Sequence, residues 1–274
     1  MRSFYKRNWF LSMLMLVIVV IINLPIITQV LNSFRSSSQI LMKGFFNSTY
    51  TFDNYIYLAT KTKIWIYFLN SIIVTVSASA VSVVVSAMAG FALSRFKSRL
   101  VSAFSMLLLL LQMFPLILAL ISLYILFSKL SLTNTYFGIV LIYIAISLPF
   151  TTWMYKGFFD SIPKELEEAS WIDGCTRVMT LFKIILPLSR PGMIAVSIYS
   201  FLLSWNEFMM ANIFLRKNEL MTIPVGIQMF VQQYSTDMGG ITAATTLAIV
   251  PVFLFIIFGQ KYLVGGAITG GVKG

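Results

Sequence analysis

The side chains best suited to a functional role gather in one polar stretch of an otherwise apolar chain. It reads Ser161-Ile-Pro-Lys-Glu-Leu-Glu-Glu-Ala-Ser-Trp-Ile-Asp-Gly174. Pro163 suits a first helical turn, where its missing N–H costs nothing, and the three glutamates then lie where the helix dipole favours negative charge. Gly174 is placed to end the helix, because glycine adopts the left-handed conformation at little cost. The stretch predicts a short acidic helix that suits docking on a partner; a solvated loop is the alternative.

A second short helix is predicted directly after this turn. Thr176 can cap its N-terminus, and the helix should run to about Ile185 before Pro187 ends it. Cys175, beside the glycine turn, is interpreted as a small filler residue. Both helices lie within a polar loop that we place at residues 156–190.

Most catalytic chemistry is excluded by the residue inventory. There is no histidine and only one cysteine, so a histidine-based triad, a His/Cys zinc site and an internal disulfide are all ruled out. No GxxxxGK[ST] phosphate loop occurs, and no paired carboxylates or metal-ligand clusters lie at the ends of apolar runs. We expect no catalytic residue, no metal site and no cofactor bound by this chain.

Three consecutive polar or aromatic residues, Trp205, Asn206 and Glu207, are candidates for a substrate path. Glu207 is the only acidic residue within an apolar run, where charged side chains are costly and often functional. Counted from Gly192 in a continuous helix, it would lie about 22 Å along the axis. One interpretation is a sugar contact, with an aromatic face for stacking and polar groups for hydroxyls. The other is an interfacial anchor or an element of gate packing.

The elements that position these residues are membrane helices. Of the 274 residues 58% are hydrophobic and 11% charged, with a mean hydropathy of +0.88, which argues against a water-soluble domain. Six apolar runs are long enough to span a bilayer. We predict an all-α integral membrane protein, a six-span helical bundle forming one domain over residues 1–274. The predicted spans are about 10–31, 64–93, 100–127, 136–155, 192–215 and 241–263.

The distribution of basic residues predicts the orientation of the bundle. Thirteen of the 20 lysines and arginines fall on the side of both termini and seven on the other, which favours cytoplasmic termini and a cytoplasmic 156–190 loop. The net charge of +11 occurs in small groups rather than in a stripe, so we expect contact with membrane lipid and not with nucleic acid.

Two further patterns lie inside the predicted spans, and each has two interpretations. Four prolines could act as hinges or merely shape packing. A stripe of small hydroxyl residues in the second span shares one helical face and could line a polar path or form a packing seam. The prolines are Pro25, Pro115, Pro149 and Pro251, and the stripe is Ser71, Thr75, Ser79, Ser82 and Ser86.

The 161–187 segment closely resembles the signature loop of the permease subunits of ABC importers. That signature is EAA, three residues, G, nine residues, then I, any residue, L and P. Glu168 and Ala169 match its first positions, Ser170 replaces the usual second alanine, and Gly174 matches the glycine. Ile184, Leu186 and Pro187 follow at the required spacing. The match also lies in a polar loop between two predicted spans, which is the structural context that the signature requires.

The resemblance extends to the carbohydrate-uptake branch of these permeases, the maltose type. Within that branch the chain is similar to the second, shorter permease of the pair, which has six spans. The supporting residues are Thr51-Phe-Asp-Asn-Tyr55, Ile162-Pro163, Asp173, Pro191-Gly192, Trp205-Asn-Glu-Phe208, Thr222-Ile-Pro-Val-Gly226 and Gly271-Val-Lys-Gly274.

This resemblance implies a subunit of an ATP-driven sugar importer in a bacterial cell membrane. The implied partners are a second permease, most simply in a heterodimer, two cytoplasmic ATPase subunits that hold ATP and magnesium, and an extracellular solute-binding protein that delivers the sugar. The implied ATPase-coupling residues are Glu165, Leu166, Glu168, Ala169, Ser170, Asp173, Gly174, Ile184, Leu186 and Pro187. The alternatives are a related permease for a non-sugar solute such as glycerol phosphate, and a stand-alone channel or carrier.

Overall fold

The computed structural model describes residues 2–41, 49–231 and 237–270, and every regular element within these ranges is a helix. The closing Gly271–Gly274 motif lies outside the described residues. The α-helices are α1 (Arg2–Asn32), α2 (Ser37–Leu41), α3 (Asp53–Lys61), α4 (Ile64–Arg95), α5 (Arg99–Met113), α6 (Leu116–Lys129), α7 (Tyr136–Asp160), α8 (Glu165–Ile172), α9 (Arg177–Thr180), α10 (Leu186–Leu188), α11 (Arg190–Trp205), α12 (Met209–Phe214), α13 (Ile223–Gln228) and α14 (Met238–Gly270). A π-helical turn, Leu181–Ile185, joins α9 to α10, and Asn218–Leu220 forms a 3₁₀ turn.

Four continuous helices within the described ranges are long and apolar enough to cross a membrane. They are Trp9–Asn32, Ile64–Arg95, Tyr136–Asp160 and Met238–Gly259, and they overlap the predicted first, second, fourth and sixth spans. Two further helix pairs are strongly bent, and the number of spans reaches six only if each bent pair crosses once. The all-helical membrane fold is confirmed, while the count of six and the cytoplasmic termini stay predictions.

The predicted third span, residues 100–127, is not one straight helix. α5 ends at Met113, α6 begins at Leu116, and their axes differ by 96°. Pro115 causes the break, because proline excludes the helical conformation at the preceding residue, and Phe114 is extended. By contrast, Pro25 and Pro149 lie inside continuous helices.

The predicted fifth span, residues 192–215, is also interrupted. α11 ends at Trp205 and α12 starts at Met209, so residues 206–208 are not helical. At its other end, α11 meets the preceding helical segment at Ser189 with a bend of 88°. The polar 156–190 loop is shorter than predicted as well, since α7 continues to Asp160.

The described residues divide into two compact units, of which the first contains residues up to Trp65 and residues 226–250. Here the Asn54 side-chain amide donates to the carbonyls of Ser33 and Arg35, both at 2.8 Å, and so satisfies acceptors beyond the end of α1. The Ser33 hydroxyl lies 2.6 Å from the Tyr55 hydroxyl. The Thr51–Tyr55 motif therefore fixes the polypeptide that leaves the first span.

The second unit comprises residues 66–225 with the chain from Pro251 onward, and within it α4 packs closely against α7 at Gly90. A Cβ added at Gly90 would lie 3.0 Å from both the Lys156 nitrogen and the Thr152 carbonyl oxygen, so the two backbones touch there. All five hydroxyl residues of the stripe on α4 are buried, and Ser82 bonds Ser147 of α7 at 2.7 Å. These contacts favour the packing-seam interpretation of the stripe.

At the other end of α4, Asn70 holds the segment that follows α12. Its amide donates to the carbonyls of Glu219 and Met221 at 2.8 and 2.9 Å and accepts from the Tyr136 hydroxyl at 2.7 Å. The Ser71 hydroxyl accepts from the backbone N–H of Ile223 at 2.7 Å. Adjacent residues of α4 thus satisfy the turn that leads into the Thr222–Gly226 motif.

Candidate functional site

The predicted acidic helix is present as α8, with Glu165, Glu167 and Glu168 in its first turn. Pro163 lies two residues before the helix rather than inside its first turn. Gly174 has a φ of +83° and ends α8 as predicted. Its N–H bonds the Trp171 carbonyl at 3.0 Å, and the Cys175 N–H bonds the Ser170 carbonyl at 2.9 Å. This is the Schellman arrangement, which satisfies carbonyls that a helix end would otherwise leave open.

The two faces of α8 differ sharply in exposure. One face presents an acidic and apolar surface to solvent, and Ile172 is 88% exposed. The other face carries Glu167 and Ser170, which are 2% and 3% exposed. Three of the eight residues of α8, Leu166, Trp171 and Ile172, are exposed and apolar, and exposed apolar patches of this kind are typical of surfaces that a partner covers. Of the predicted coupling residues in this helix and its turn, those exposed are Glu165, Leu166, Glu168, Ala169, Asp173 and Gly174.

Ser170, which replaces the usual second alanine, has a structural partner. Its hydroxyl lies 2.7 Å from the Thr180 hydroxyl, and both side chains are buried. Thr180 belongs to α9, whose first turn is capped by Thr176, which accepts from the Met179 N–H at 3.3 Å. The hydroxyl pair therefore clips α8 to α9 on the inner side of the turn.

The helical segment after the turn extends further than predicted, because Pro187 does not end it. The Leu186 N–H bonds the Leu181 carbonyl, five residues back, so the helix widens to a π turn just before the proline. That widening accommodates a residue that lacks an N–H, and the helix ends only at Ser189. Ile184 and Leu186 are partly buried against the apolar cluster around Tyr155 and Phe159. Pro187 itself is exposed.

Glu167 joins α8 to the membrane helices through an ion pair with Arg95, the last residue of α4. The Arg95 Nε donates to Glu167 Oε1, and the two side chains are 9% and 3% exposed. Removal of one partner of a buried ion pair strongly destabilises a protein, because the remaining charge is left buried without an opposite charge.

Arg95 also binds the end of α7 and the chain that leads into α8. Its Nη1 donates to the Phe159 carbonyl at 3.0 Å, and its Nη2 donates to the Ile162 carbonyl at 3.2 Å. Nη1 further donates to the Ser94 hydroxyl at 2.8 Å, and that hydroxyl donates to Asp160 at 2.6 Å. One guanidinium therefore connects α4, α7 and α8, so that displacement of α8 is resisted by two spans.

A second arginine holds the outer rim of the turn. The guanidinium of Arg177 lies over the rings of Phe96 and Trp171, at 5.1 and 5.6 Å from their centroids. Cation–π contacts of this kind stabilise by about 1 kcal/mol when partly exposed. The residue after α4, the last turn of α8 and the first of α9 are thereby joined on the solvent side as well.

The three candidate substrate-path residues occupy different environments. Trp205 is 3% exposed, stacked on Phe201 and edge-on to Phe68, with both centroid distances 5.7 Å. Asn206 is exposed and donates to the Leu202 carbonyl at 2.8 Å.

Glu207 lies in the break after α11, not 22 Å along a continuous helix as counted from the sequence. Its carboxylate accepts from the N–H groups of Met210 and Ala211 at 2.9 and 3.1 Å, and so it caps the start of α12. In this conformation the Trp205 ring packs against other aromatic rings and the Glu207 carboxylate bonds the backbone, so neither group is available to a sugar.

Sequence reasoning missed Arg95. It was counted only as one of the basic residues that indicate orientation, and Glu167 was assigned to the acidic helix without a partner. The only signal in the sequence was that Arg95 lies at the predicted end of a span, on the same side of the membrane as the polar loop. A single sequence gives no indication that two residues 72 positions apart form a pair. In the described ranges, no group of three or more His, Cys, Asp or Glu side chains is arranged to hold a metal ion.

The match to a known family covers the part of the chain that forms this site. Residues 82–267, which include α8 and Arg95, match the family described as binding-protein-dependent transport system inner membrane component.

The chain belongs to this family. Its members are non-catalytic membrane components of transporters, which places the chain in the inner membrane as a multi-pass protein.

Two relatives agree with the family assignment, and a solved structure has the same fold. The chain is 34% identical over 272 residues to the arabinooligosaccharides transport system permease protein AraQ of Halalkalibacterium halodurans, with 97% of each chain covered. It is 33% identical over 255 residues to the trehalose/maltose transport system permease protein MalG of Thermococcus litoralis, with 91% of each covered. Its fold matches a chain of a bacterial ABC transporter involved in the import of the acidic polysaccharide alginate, with a TM-score of 0.80, 21% identity and coverage of 96% and 98%. The resemblance stated from the sequence is confirmed.

Proposed function

We propose that this chain is a permease subunit of an ATP-driven importer of sugars or oligosaccharides. It forms the translocation path with a second permease, most simply a heteromeric partner. The relatives that match nearly its whole length are permeases for arabinooligosaccharides and for trehalose and maltose, which supports this substrate class. The description of the family as binding-protein-dependent supports delivery of the sugar by a solute-binding protein on the outer side.

In this proposal α8 is the element that a separate ATPase subunit grips. Two such subunits hold ATP and magnesium. When the two ATPase subunits close on ATP, they displace α8 and so drive the movement of this chain. The observation that carries the proposal is the combination of an exposed acidic and apolar face with a buried, charge-paired face on one short helix. The exposed face suits a cleft in a partner, since amphipathic helices bind grooves through their apolar side chains.

The buried face supplies the mechanical connection. Because Arg95 bonds Glu167, Phe159 and Ile162 together, a pull on α8 is transferred to the ends of α4 and α7 at one point. The Ser170–Thr180 hydroxyl pair and the stacking of Arg177 keep α9 attached during that motion. Motion of α8 then changes the tilt of two membrane helices instead of unfolding a loop.

The experiment is a purification of the whole transporter from native membranes through a tag on this chain, with Glu168→Lys on the exposed face of α8. We expect normal membrane insertion, reduced co-purification of the ATPase and loss of sugar-stimulated ATP hydrolysis. Asp53→Lys is the matched control, because it reverses the charge of an exposed carboxylate far from α8 in sequence. Wild-type assembly and normal transport by the Glu168→Lys transporter would refute ATPase docking at α8.

The substrate class is tested separately by the ligand of the solute-binding protein that co-purifies with this complex. A bound saccharide is expected. A bound non-sugar solute such as glycerol phosphate would overturn the sugar assignment and leave the coupling role intact.

A further inference from the structure

We propose that a basic cavity beside α8 binds the phosphate headgroup of an anionic membrane lipid. The cavity has a volume of about 1120 Å³ and lies between the end of α4, the start of α5, the end of α7 and the chain before α8. It shares only Glu165 with the exposed face of α8, and it includes none of Trp205–Glu207. The proposal requires only that the chain is a membrane protein and does not depend on the substrate or on ATPase docking.

The charge of the lining is the first argument. Five basic side chains border the cavity against two carboxylates, those of Asp160 and Glu165, so the lining carries a net positive charge. Arg95 is already paired with Glu167, and Lys156 with Asp160 at 2.6 Å. The remaining three, Lys97, Arg99 and Lys164, are exposed and form no ion pair with any residue in the described part of the chain.

The backbone adds to this positive potential. The first residues of α5, a helix of 15 residues, line the cavity, and its cap Ser98 accepts only from the Val101 N–H at 3.2 Å. The N–H groups of the first helical turn have no partner within the helix, and the macrodipole places partial positive charge there. Three cations without an ion-pair partner, set against the single remaining carboxylate of Glu165, and a helix N-terminus thus border one volume, which suits a phosphate group.

The depth of the cavity indicates a lipid as the source of that phosphate. α4 and α7 are long enough to span the bilayer, and the cavity lies where both of them end, at Arg95 and between Lys156 and Asp160. Basic pockets between membrane helices at this level are known to hold anionic headgroups.

The outward face of α5 supports the same depth. An exposed apolar stripe follows the helix from the residue after Arg99 with spacings of four, three and four residues, so that it forms one continuous face. The stripe consists of Leu100, Phe104, Leu107 and Leu111. It lies on the side of α5 opposite the cavity-lining Val101, Ser102 and Ser105, and it indicates that α5 enters the hydrocarbon of the bilayer directly beyond the cavity.

The test uses the full chain in its complete transporter, reconstituted in phosphatidylcholine bilayers with or without phosphatidylglycerol and then analysed by native mass spectrometry. We expect wild type to retain phosphatidylglycerol, and the triple variant Lys97→Gln, Arg99→Gln, Lys164→Gln to bind it about 100-fold more weakly. Each basic side chain near a membrane surface contributes about fivefold to the affinity for anionic lipid. The matched control, Lys61→Gln, Lys129→Gln, Lys217→Gln, removes the same charge from exposed lysines outside the cavity and should retain the lipid.

Three results would overturn the proposal. They are unchanged lipid retention in the triple variant, an equal loss in the control, and displacement of the lipid by inorganic phosphate as effectively as by added phosphatidylglycerol, which would identify a soluble-anion site. If the triple variant fails to assemble, the three single variants are measured instead. Each should then lower retention by about fivefold.

Discussion

Arg95 at the end of α4 and Glu167 in α8 form an ion pair that is almost completely removed from solvent. The same guanidinium bonds the backbone carbonyls of Phe159, in the last turn of α7, and of Ile162, just beyond it. One side chain therefore organises the junction between two membrane helices and the helix that we propose as the coupling element. Four experiments follow from the contacts at this junction and elsewhere in the chain.

Removing either partner of the pair should destabilise the junction. Arg95→Ala leaves the Glu167 carboxylate buried without compensation, and we expect a loss of about 3 kcal/mol in stability. Sugar-stimulated ATP hydrolysis should fall while basal hydrolysis persists, because α8 is no longer attached to α4. Thermal unfolding and ATPase assays on the reconstituted transporter measure the two effects.

Two further variants separate the ion pair from general damage. Glu167→Gln retains a hydrogen-bond acceptor for Arg95 and should cost less than Glu167→Ala. The exchanged pair Arg95→Glu, Glu167→Arg should recover part of the coupling that either single charge reversal loses. Equal uncoupling by Lys129→Ala, an exposed lysine outside the junction, would argue against a specific role for Arg95.

The positive φ of Gly174 predicts a conformational and not a steric penalty. No atom lies within 4 Å of a Cβ added there, so Gly174→Ala and Gly174→Val should each cost about 1–2 kcal/mol for the left-handed backbone alone. Gly174→Asn should cost least, since asparagine adopts that conformation more readily. Sugar uptake should be highest for Gly174→Asn and lower for Gly174→Ala and Gly174→Val. Uptake in the order Ala, Asn, Val, from the smallest side chain to the largest, would instead show that side-chain volume controls the turn.

The crossing of α4 with α7 predicts opposite outcomes for two glycines. Gly90→Ala places a methyl group against the backbone of α7 and should destabilise the protein by about 1–3 kcal/mol. Gly157→Ala, on α7 itself, has open space around the new methyl group and should be neutral or stabilising, because alanine favours helices. Thermal unfolding of the two purified variants makes the comparison. Equal stability would mean that the helices do not approach closely at Gly90.

The capping role of Glu207 predicts a change in stability without a change in substrate preference. Glu207→Ala removes acceptors for two N–H groups of α12 and should cost about 1 kcal/mol, while Glu207→Gln keeps one acceptor and should cost less. Uptake competition between sugars should be unchanged in both variants, and in Asn206→Ala. A shift in sugar preference at wild-type stability would place these residues on the substrate path instead.

Much of the fold could be predicted from the sequence, because long apolar runs have few alternatives to membrane helices. The bends could not. Pro115 breaks its helix and Pro149 does not, although both lie in apolar runs, since the outcome depends on whether neighbouring helices compensate for the lost hydrogen bond. The same applies at Pro187, where a π turn absorbs the proline that was expected to end the helix.

The acidic helix and its glycine stop were predictable because capping is local and has a strong sequence signal. The fixation of that helix was not, since Arg95 and Glu167 are far apart in the sequence and only the packing of α4 beside α7 brings them together. The break after Trp205 was not predicted either, because polar residues such as Asn206 and Glu207 are unfavourable in an apolar helix but do occur there. Only the structure reveals that the carboxylate is used by the backbone.

The grip of Asn70 on the turn after α12 has a consequence for any motion at that end of α4. Its amide and the neighbouring Ser71 hydroxyl bond three backbone groups between Glu219 and Ile223, and these bonds restrain independent motion of residues 219–223. This stretch must travel with α4 as one rigid piece. A protein that binds this turn and displaces it would therefore also displace α4, and with it Arg95 at the opposite end of that helix.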